Sequence, residues 1–145
     1  MTKPATTRPG HTLLELVLVM VIMTLAALIG IRQVQMLLDR LATRDAVRDA
    51  GAVVSRARDE ALALHTLVSV RVDTLAGSLE LLSRDGRIAL APLASTHGVA
   101  LSSSRDSITF DIRGLGYGAA NLTLVARRGR AADTLVVSRL GRTRY

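Results

Sequence analysis

No cysteine and no tryptophan occur in the 145 residues; proline occurs three times and lysine once, at Lys3. Without cysteine there can be no disulfide, no zinc-thiolate site and no thiol nucleophile, so any folded part is held by packing alone. The aromatic residues are Phe110, Tyr117 and Tyr145, too few for the stacking platforms on which single-strand binders seat bases. His11, His65 and His97 stand apart in sequence with no HExxH spacing, so no metal site is expected. Gly114-Leu115-Gly116-Tyr117-Gly118 lacks the lysine and hydroxyl residue of a phosphate-binding loop and reads as a flexible loop; Ser102-Ser103-Ser104 reads as a polar one. No residue is assigned a catalytic role, no cofactor is expected, and an enzyme is not indicated.

What the chain does have is a long apolar run near its start. Thr12 to Ile31 is twenty residues with a single charge, Glu15. As a helix this run would measure roughly 30 Å, the thickness of one hydrocarbon core. A charge inside such a segment costs about 2.5 to 3.5 kcal/mol at its centre and is by default functional. Thr12-x-x-Glu15 also fits a capping box, in which the two side chains satisfy backbone N–H groups at a helix start. A cleaved secretory signal fits less well, because Glu15 interrupts the apolar stretch and no polar cleavage zone follows Leu28.

The residues around Glu15 carry a more specific pattern. A short basic leader with Lys3 and Arg8, then Gly10-His11-Thr12-Leu13-Leu14-Glu15, then an unbroken apolar helix, resembles the prepilin peptidase site of type IV pilins and type II secretion pseudopilins. The resemblance implies cleavage between Gly10 and His11 by a prepilin peptidase and N-methylation of the new His11 amine. It further implies a role for Glu15 in filament assembly, facing the N-terminal amine of a neighbouring subunit. Two positions depart from the family: His11 stands where phenylalanine is usual, and Gly30-Ile31-Arg32-Gln33-Val34 lacks the proline that kinks many relatives, which implies a straighter helix.

Beyond Ile31 the pattern becomes amphipathic. At 100° per residue Ala46, Ala50, Val53, Val54, Ala57, Ala61 and Leu64 share one face, and Arg44, Asp45, Arg48, Asp49, Arg56, Asp59 and Glu60 the other. One helix from about Thr12 to Leu64 is predicted, with Leu37, Leu38 and Leu41 turned away from the later apolar face and available to neighbouring helices. From Thr66 the period changes to two. Val68, Val70 and Val72 alternate with polar or exposed positions; Leu79 to Leu82 and Arg87 to Ala91 flank an Asp85-Gly86 hairpin signal; Ile108, Phe110 and Ile112, Leu122 to Ala126 and Thr134 to Ser138 supply further strands. A sheet of this size without disulfides should bury one face on the alanine-valine side of the helix.

The fold class expected is therefore α+β: a long N-terminal helix, transmembrane then amphipathic, with a C-terminal antiparallel β-domain on its second half. The expected divisions are a leader at 1–10, a transmembrane and filament-core helix at 11–33, its amphipathic half at 34–65 and a periplasmic β-domain at 66–145. Ala57-Arg58-Asp59-Glu60-Ala61, Phe110-x-x-x-Gly114 and Val137-Ser138-x-x-Gly141-Arg142 resemble the GspH/FimT group of minor pseudopilins. Gly114 and Gly141 read as turn positions, and Arg58 with Glu60 as ordering the corner between helix and sheet. The implied function is that of a minor pilin or pseudopilin subunit in the bacterial inner membrane, whose partners are the prepilin peptidase, other pilin subunits and membrane lipid. A second expectation comes from the charge. Arg127, Arg128, Arg130, Arg139, Arg142 and Arg144 face one acid, Asp133, in the last nineteen residues of a chain with formal net charge +7. Such a region could contact the phosphates of DNA in an uptake pilus, or be no more than a solvated, arginine-biased surface.

Overall fold

The computed structural model describes residues 12–118 and 121–145; the expected processing positions Gly10 and His11 lie outside the described residues. Helix α1 runs Leu13–Leu64, 52 residues. The chain divides after Gln35 into two compact units, the second being Met36–Tyr145.

Thr12 starts α1. Its hydroxyl and its carbonyl both accept the Glu15 N–H, at 3.3 and 3.1 Å, and its carbonyl accepts that of Leu16 at 3.2 Å. This satisfies donors that an uncapped helix start would leave to solvent. From Leu16 to Ile31 the helix is apolar on every face but for Thr24, and exposed. Thr24, the one polar side chain between Leu16 and Ile31, returns its hydroxyl to the Met20 carbonyl at 2.7 Å, which costs the apolar surface no unsatisfied donor.

In the second unit α1 buries Thr43, Ala46, Val47, Ala50, Gly51, Val54, Ala57 and Ala61. The spacing of three and four residues is the stripe read from the sequence, with Thr43, Val47 and Gly51 added, Val53 only partly buried at its edge and Leu64 removed. Leu64 is exposed because the helix ends there: His65 takes φ +49, a left-handed conformation that stops the helical ladder. Leu37, Leu38 and Leu41 are exposed and take no part in the core.

The β-rich part forms two four-stranded antiparallel sheets. The first contains β1 Val68–Asp73, β2 Ser78–Ser83, β3 Gly86–Ala91 and β5 Ser107–Phe110, in the order β3-β2-β1-β5. The second contains β4 Ala100–Ser103, β6 Leu122–Arg128, β7 Ala131–Val137 and β8 Thr143–Arg144, in the order β4-β6-β7-β8. A short helix, α2 Leu93–His97, precedes β4 and ends at Gly98, whose φ of +64 only glycine adopts without strain.

The alternation in β1 holds. Val68, Val70 and Val72 are buried, and between them Ser69 meets Thr109 of β5 through their hydroxyls at 2.8 Å. Two strand assignments need correcting. Ser102 and Ser103 lie in β4, paired with Val125 and Leu124, because β6 supplies a ladder that the local sequence does not announce. Ile112 is exposed because the strand ends at Phe110, where the Asp111 side chain diverts the backbone into a turn.

One cluster holds the second unit together. It joins the α1 stripe to Val68, Val70, Leu79, Leu81, Ile108 and Phe110 of the first sheet and to Leu101, Leu122, Leu124, Leu135 and Val137 of the second. The helix side of this cluster is small. Alanine lets strands pack close to the helix backbone, and density at such a seam leaves no room for added methylenes. Ala57→Leu should lower the unfolding free energy by ~1–3 kcal/mol through overpacking, whereas Leu at the exposed position Ala52 should change it little. Chemical denaturation of the detergent-solubilised chain measures both; matched midpoints for the two variants would contradict this packing.

Candidate functional site

Three places collect the residues that the sequence singles out. The first is the start of α1. Glu15 sits in its first turn, on a backbone already capped by Thr12, followed by the one helix among the described residues long and apolar enough to cross a membrane. Leu13, Leu14, Leu16 and Val17 around it are all exposed.

The second is the tip of the β6–β7 hairpin. Gly129 turns it with φ +55, and a Cβ there would overlap the Asp39 carboxylate of α1. Arg128 is bound on two sides: its Nε lies 3.1 Å from Asp39 Oδ1, and its Nη1 donates to the His97 carbonyl at 2.8 Å. His97 Nε2 is in turn 2.8 Å from Asp49 Oδ2. A chain of polar contacts thus joins two turns of α1 to β6 and α2. Arg128 is spent on this structural tie, while Arg127 and Arg130 remain exposed beside it.

The third place is a pair of turns packed on Arg58. Gly114 and Gly141 have φ of +70 and +71. A Cβ on Gly114 would lie 3.1 Å from Arg58 Cγ, and one on Gly141 would lie 3.4 Å from Arg58 Cδ and 3.3 Å from Phe110 Cε1. The aliphatic stem of Arg58 therefore runs between two glycine turns with the Phe110 ring beside it. Glu60 does not help to order this corner; it pairs with Arg56 at 3.6 Å, one helical turn earlier. Four residues of the GspH/FimT-like pattern, Arg58, Phe110, Gly114 and Gly141, meet here.

The Gly114 loop is not loose, contrary to the reading from composition. Asp111 accepts the backbone N–H groups of Arg113 and Leu115, both at 2.9 Å, and its carboxylate meets the Arg113 guanidinium at 3.0 Å. Gly116 N–H donates to the Arg139 carbonyl at 3.0 Å and Tyr117 N–H to Thr109 at 2.8 Å. A single carboxylate at the loop start organises a glycine-rich segment. The C-terminal turn is closed by Gly141 N–H donating to the Ser138 carbonyl at 2.9 Å.

The six C-terminal arginines do not form one patch. Arg127, Arg128 and Arg130 gather at the hairpin tip by Asp39, and Arg139 and Arg142 at the turns by Arg58. Nineteen residues of α1 separate those anchors, ~28 Å of helix. Arg144 pairs through its backbone with Val136, and Tyr145 follows it onto α1, where a Cβ on Gly51 would overlap the tyrosine hydroxyl. Among the described residues no cluster of three histidine or acidic side chains could hold a metal ion.

A long apolar N-terminal helix whose later half is buried by antiparallel sheets is a pilin-like fold. Among solved structures it is similar to the type IV minor pilin FimU of Pseudomonas aeruginosa in two crystal forms. Their TM-scores are 0.60 and 0.57, each at 16% sequence identity, covering 72% and 70% of this chain and 88% and 90% of FimU. No protein-family model and no curated protein matches the chain. At this identity the likeness is one of fold.

The Asp111 carboxyl is held below its ordinary pKa. The hydrogen bond from Leu115 N–H is the largest cause; desolvation opposes it, and the Arg113 N–H and guanidinium add to the lowering. A lowered folded-state pKa contributes stability that is fully present above the unfolded value, about 4, and is lost as pH falls through the folded value. Asp111→Asn should therefore lower the melting temperature at neutral pH and flatten its fall below about pH 4. A melting curve whose acid limb is unchanged by the substitution would show that Asp111 does not order the loop.

Proposed function

We propose that this chain is a minor pilin or pseudopilin subunit: a single-pass inner-membrane precursor, cleaved after Gly10 by a prepilin peptidase, then assembled through α1 into a filament. The leader is 1–10, the span and filament core 11–33, the amphipathic continuation 34–65 and the periplasmic β-domain 66–145. The role is structural, without catalysis. The observation that carries this reading is the contrast within α1, exposed and apolar from Leu16 to Ile31 yet buried by sheets on one face from Thr43 to Ala61. Leu37, Leu38 and Leu41 add exposed apolar surface facing other helices. The likeness to a minor pilin supports the same role.

Glu15 then has a task that its cap geometry leaves open. A carboxylate is costly in a lipid or packed-helix environment, and the N-terminal amine of a neighbouring subunit's His11 offsets that cost while fixing the axial register. In the bilayer the apolar surface is solvated by acyl chains; in a filament it is solvated by other α1 helices.

Made together with a prepilin peptidase, the protein should have an intact mass that lacks Met1 to Gly10. Because Lys3 is the one lysine, an amine-reactive reagent should then modify only the new N-terminus. A product that keeps Met1 would refute the reading, and filaments that incorporate Glu15→Ala as well as the parent would remove Glu15 from assembly.

One observation favours a second reading, a DNA-binding minor pilin. All six C-terminal arginines are exposed, and among the described residues only Arg128 is in an ion pair. Duplex affinity should then fall steeply with salt, and the log–log slope should shrink by about one for each phosphate-contacting arginine removed. Duplex binding that survives Arg139→Gln, Arg142→Gln and Arg144→Gln together would exclude the C-terminal turn from contact.

A further inference from the structure

The turn between β1 and β2 carries an apolar side chain that takes no part in the core. Leu75 is 100% exposed, the most exposed large apolar residue among those described. The turn beneath it is held in one shape. Asp73 Oδ1 accepts the N–H groups of Leu75 and Ala76, at 3.0 and 2.8 Å. Gly77 closes the turn with φ +63, and its carbonyl accepts the Ala94 N–H of α2 at 2.8 Å. A Cβ on Gly77 would overlap that of Ala94, so the turn is seated directly on α2. A leucine on so fixed a tip gives up little beyond its own rotamer freedom when another surface covers it.

The other end of the same hairpin is hollow. Leu67, Leu82 and Ile112, together with Thr66, Ser69 and Arg84, line a cleft of about 660 Å³. Leu67 and Ile112 are exposed and Leu82 is half-buried, so apolar surface lies open to solvent there. Ser69 faces Leu82 across one rung of the β1–β2 ladder, and Asp73 faces Ser78 across the last, four residues or ~13 Å of strand further on. Leu75 lies past that last rung and cannot reach the cleft of its own chain.

The two ends also differ in charge. Asp73 is the one charged residue in the turn 73–77, whereas Arg84 stands at the cleft, which no acidic residue lines. Among the described residues Arg84 is in no ion pair. Two tips brought together would oppose Asp73 to Asp73, and two clefts Arg84 to Arg84. A tip on a cleft opposes acid to arginine and leucine to an apolar hollow. Complementary surfaces at opposite ends of one hairpin are the arrangement of a heterologous contact between copies.

We propose that the Leu75 tip of one copy of this chain docks in the Leu67, Leu82 and Ile112 cleft of a second copy, with Asp73 of the first facing Arg84 of the second. The contact lies wholly in the β-rich unit. It goes beyond the pilin reading and does not depend on processing at Gly10.

The test uses the full detergent-solubilised chain, which has no native cysteine. One preparation carries Thr74→Cys beside the tip, the other Thr66→Cys in the cleft, and a short thiol-specific reagent cross-links them. The mixture should form a joined pair about tenfold faster than Thr74→Cys does with Leu90→Cys, an exposed β3 position outside both surfaces. Adding Leu75→Ala to the tip partner should cancel that advantage. Asp73→Asn, which keeps the oxygen that holds the turn, and Arg84→Gln in the cleft partner should each slow the reaction about two- to fivefold at low salt and leave it unchanged at about 1 M salt. All of these side chains are exposed except that of Thr66, which is half-buried, and melting followed by circular dichroism should match the parent. A rate equal to that of the Leu90→Cys control, or one that survives both Leu75→Ala and Leu75→Asp, would overturn the contact and leave the pilin reading untouched.

Discussion

Burial of a small-residue helix face beneath two sheets is the interaction on which the β-rich part depends. Ala46, Ala50, Ala57 and Ala61 contribute little apolar area each, yet they let Phe110 and the leucines of both sheets reach the helix and complete their own burial. Neither sheet has a second layer of its own among the described residues, and no disulfide is available to substitute for one. The helix is the missing half of the core. Disturbing its buried stripe therefore acts on both sheets together.

The same helix carries two kinds of surface along one secondary structure. Its backbone hydrogen bonds are satisfied internally, which is what a segment in lipid requires. Past Ile31 the pattern changes from an apolar surface all round to an apolar stripe, and charged residues occupy the face that the sheets leave open. Glu15 and Arg32 mark the two ends of the region from which charge is absent.

Much of this was legible from the chain. The bounds of α1, the stripe from Ala46 to Ala61, the valine alternation in β1 and the Asp85-Gly86 hairpin follow from periodicity and turn chemistry, which are local. What escaped was set by partners distant in sequence. β4 is a strand because β6 lies beside it, and Ile112 leaves the core because the Asp111 carboxylate captures two N–H groups. The second sheet cannot be inferred from strand count alone, since eight short strands suit one sheet or two. At the candidate sites, sequence drew the basic tail as a single feature, and the fold divides it, because β7 carries the chain from Asp39 towards Arg58 between the two groups. Arg58 and Glu60 look like partners two residues apart, but on a helix residues at that spacing diverge, and Glu60 takes Arg56 instead.

The stacking of two glycine turns on the Arg58 stem carries a further consequence. Gly114 and Gly141 are separated by most of the second sheet in sequence, yet each shapes the surface that the other packs against. The two loops form a composite end of the domain and will vary together: a relative that lengthens one must remodel the other or lose the arginine between them. For engineering, loop grafts at this end should transplant both segments with position 58 as one cassette, whereas the Arg84-Asp85-Gly86 turn between β2 and β3, where a Cβ on Gly86 would meet nothing within 4 Å, can be exchanged alone.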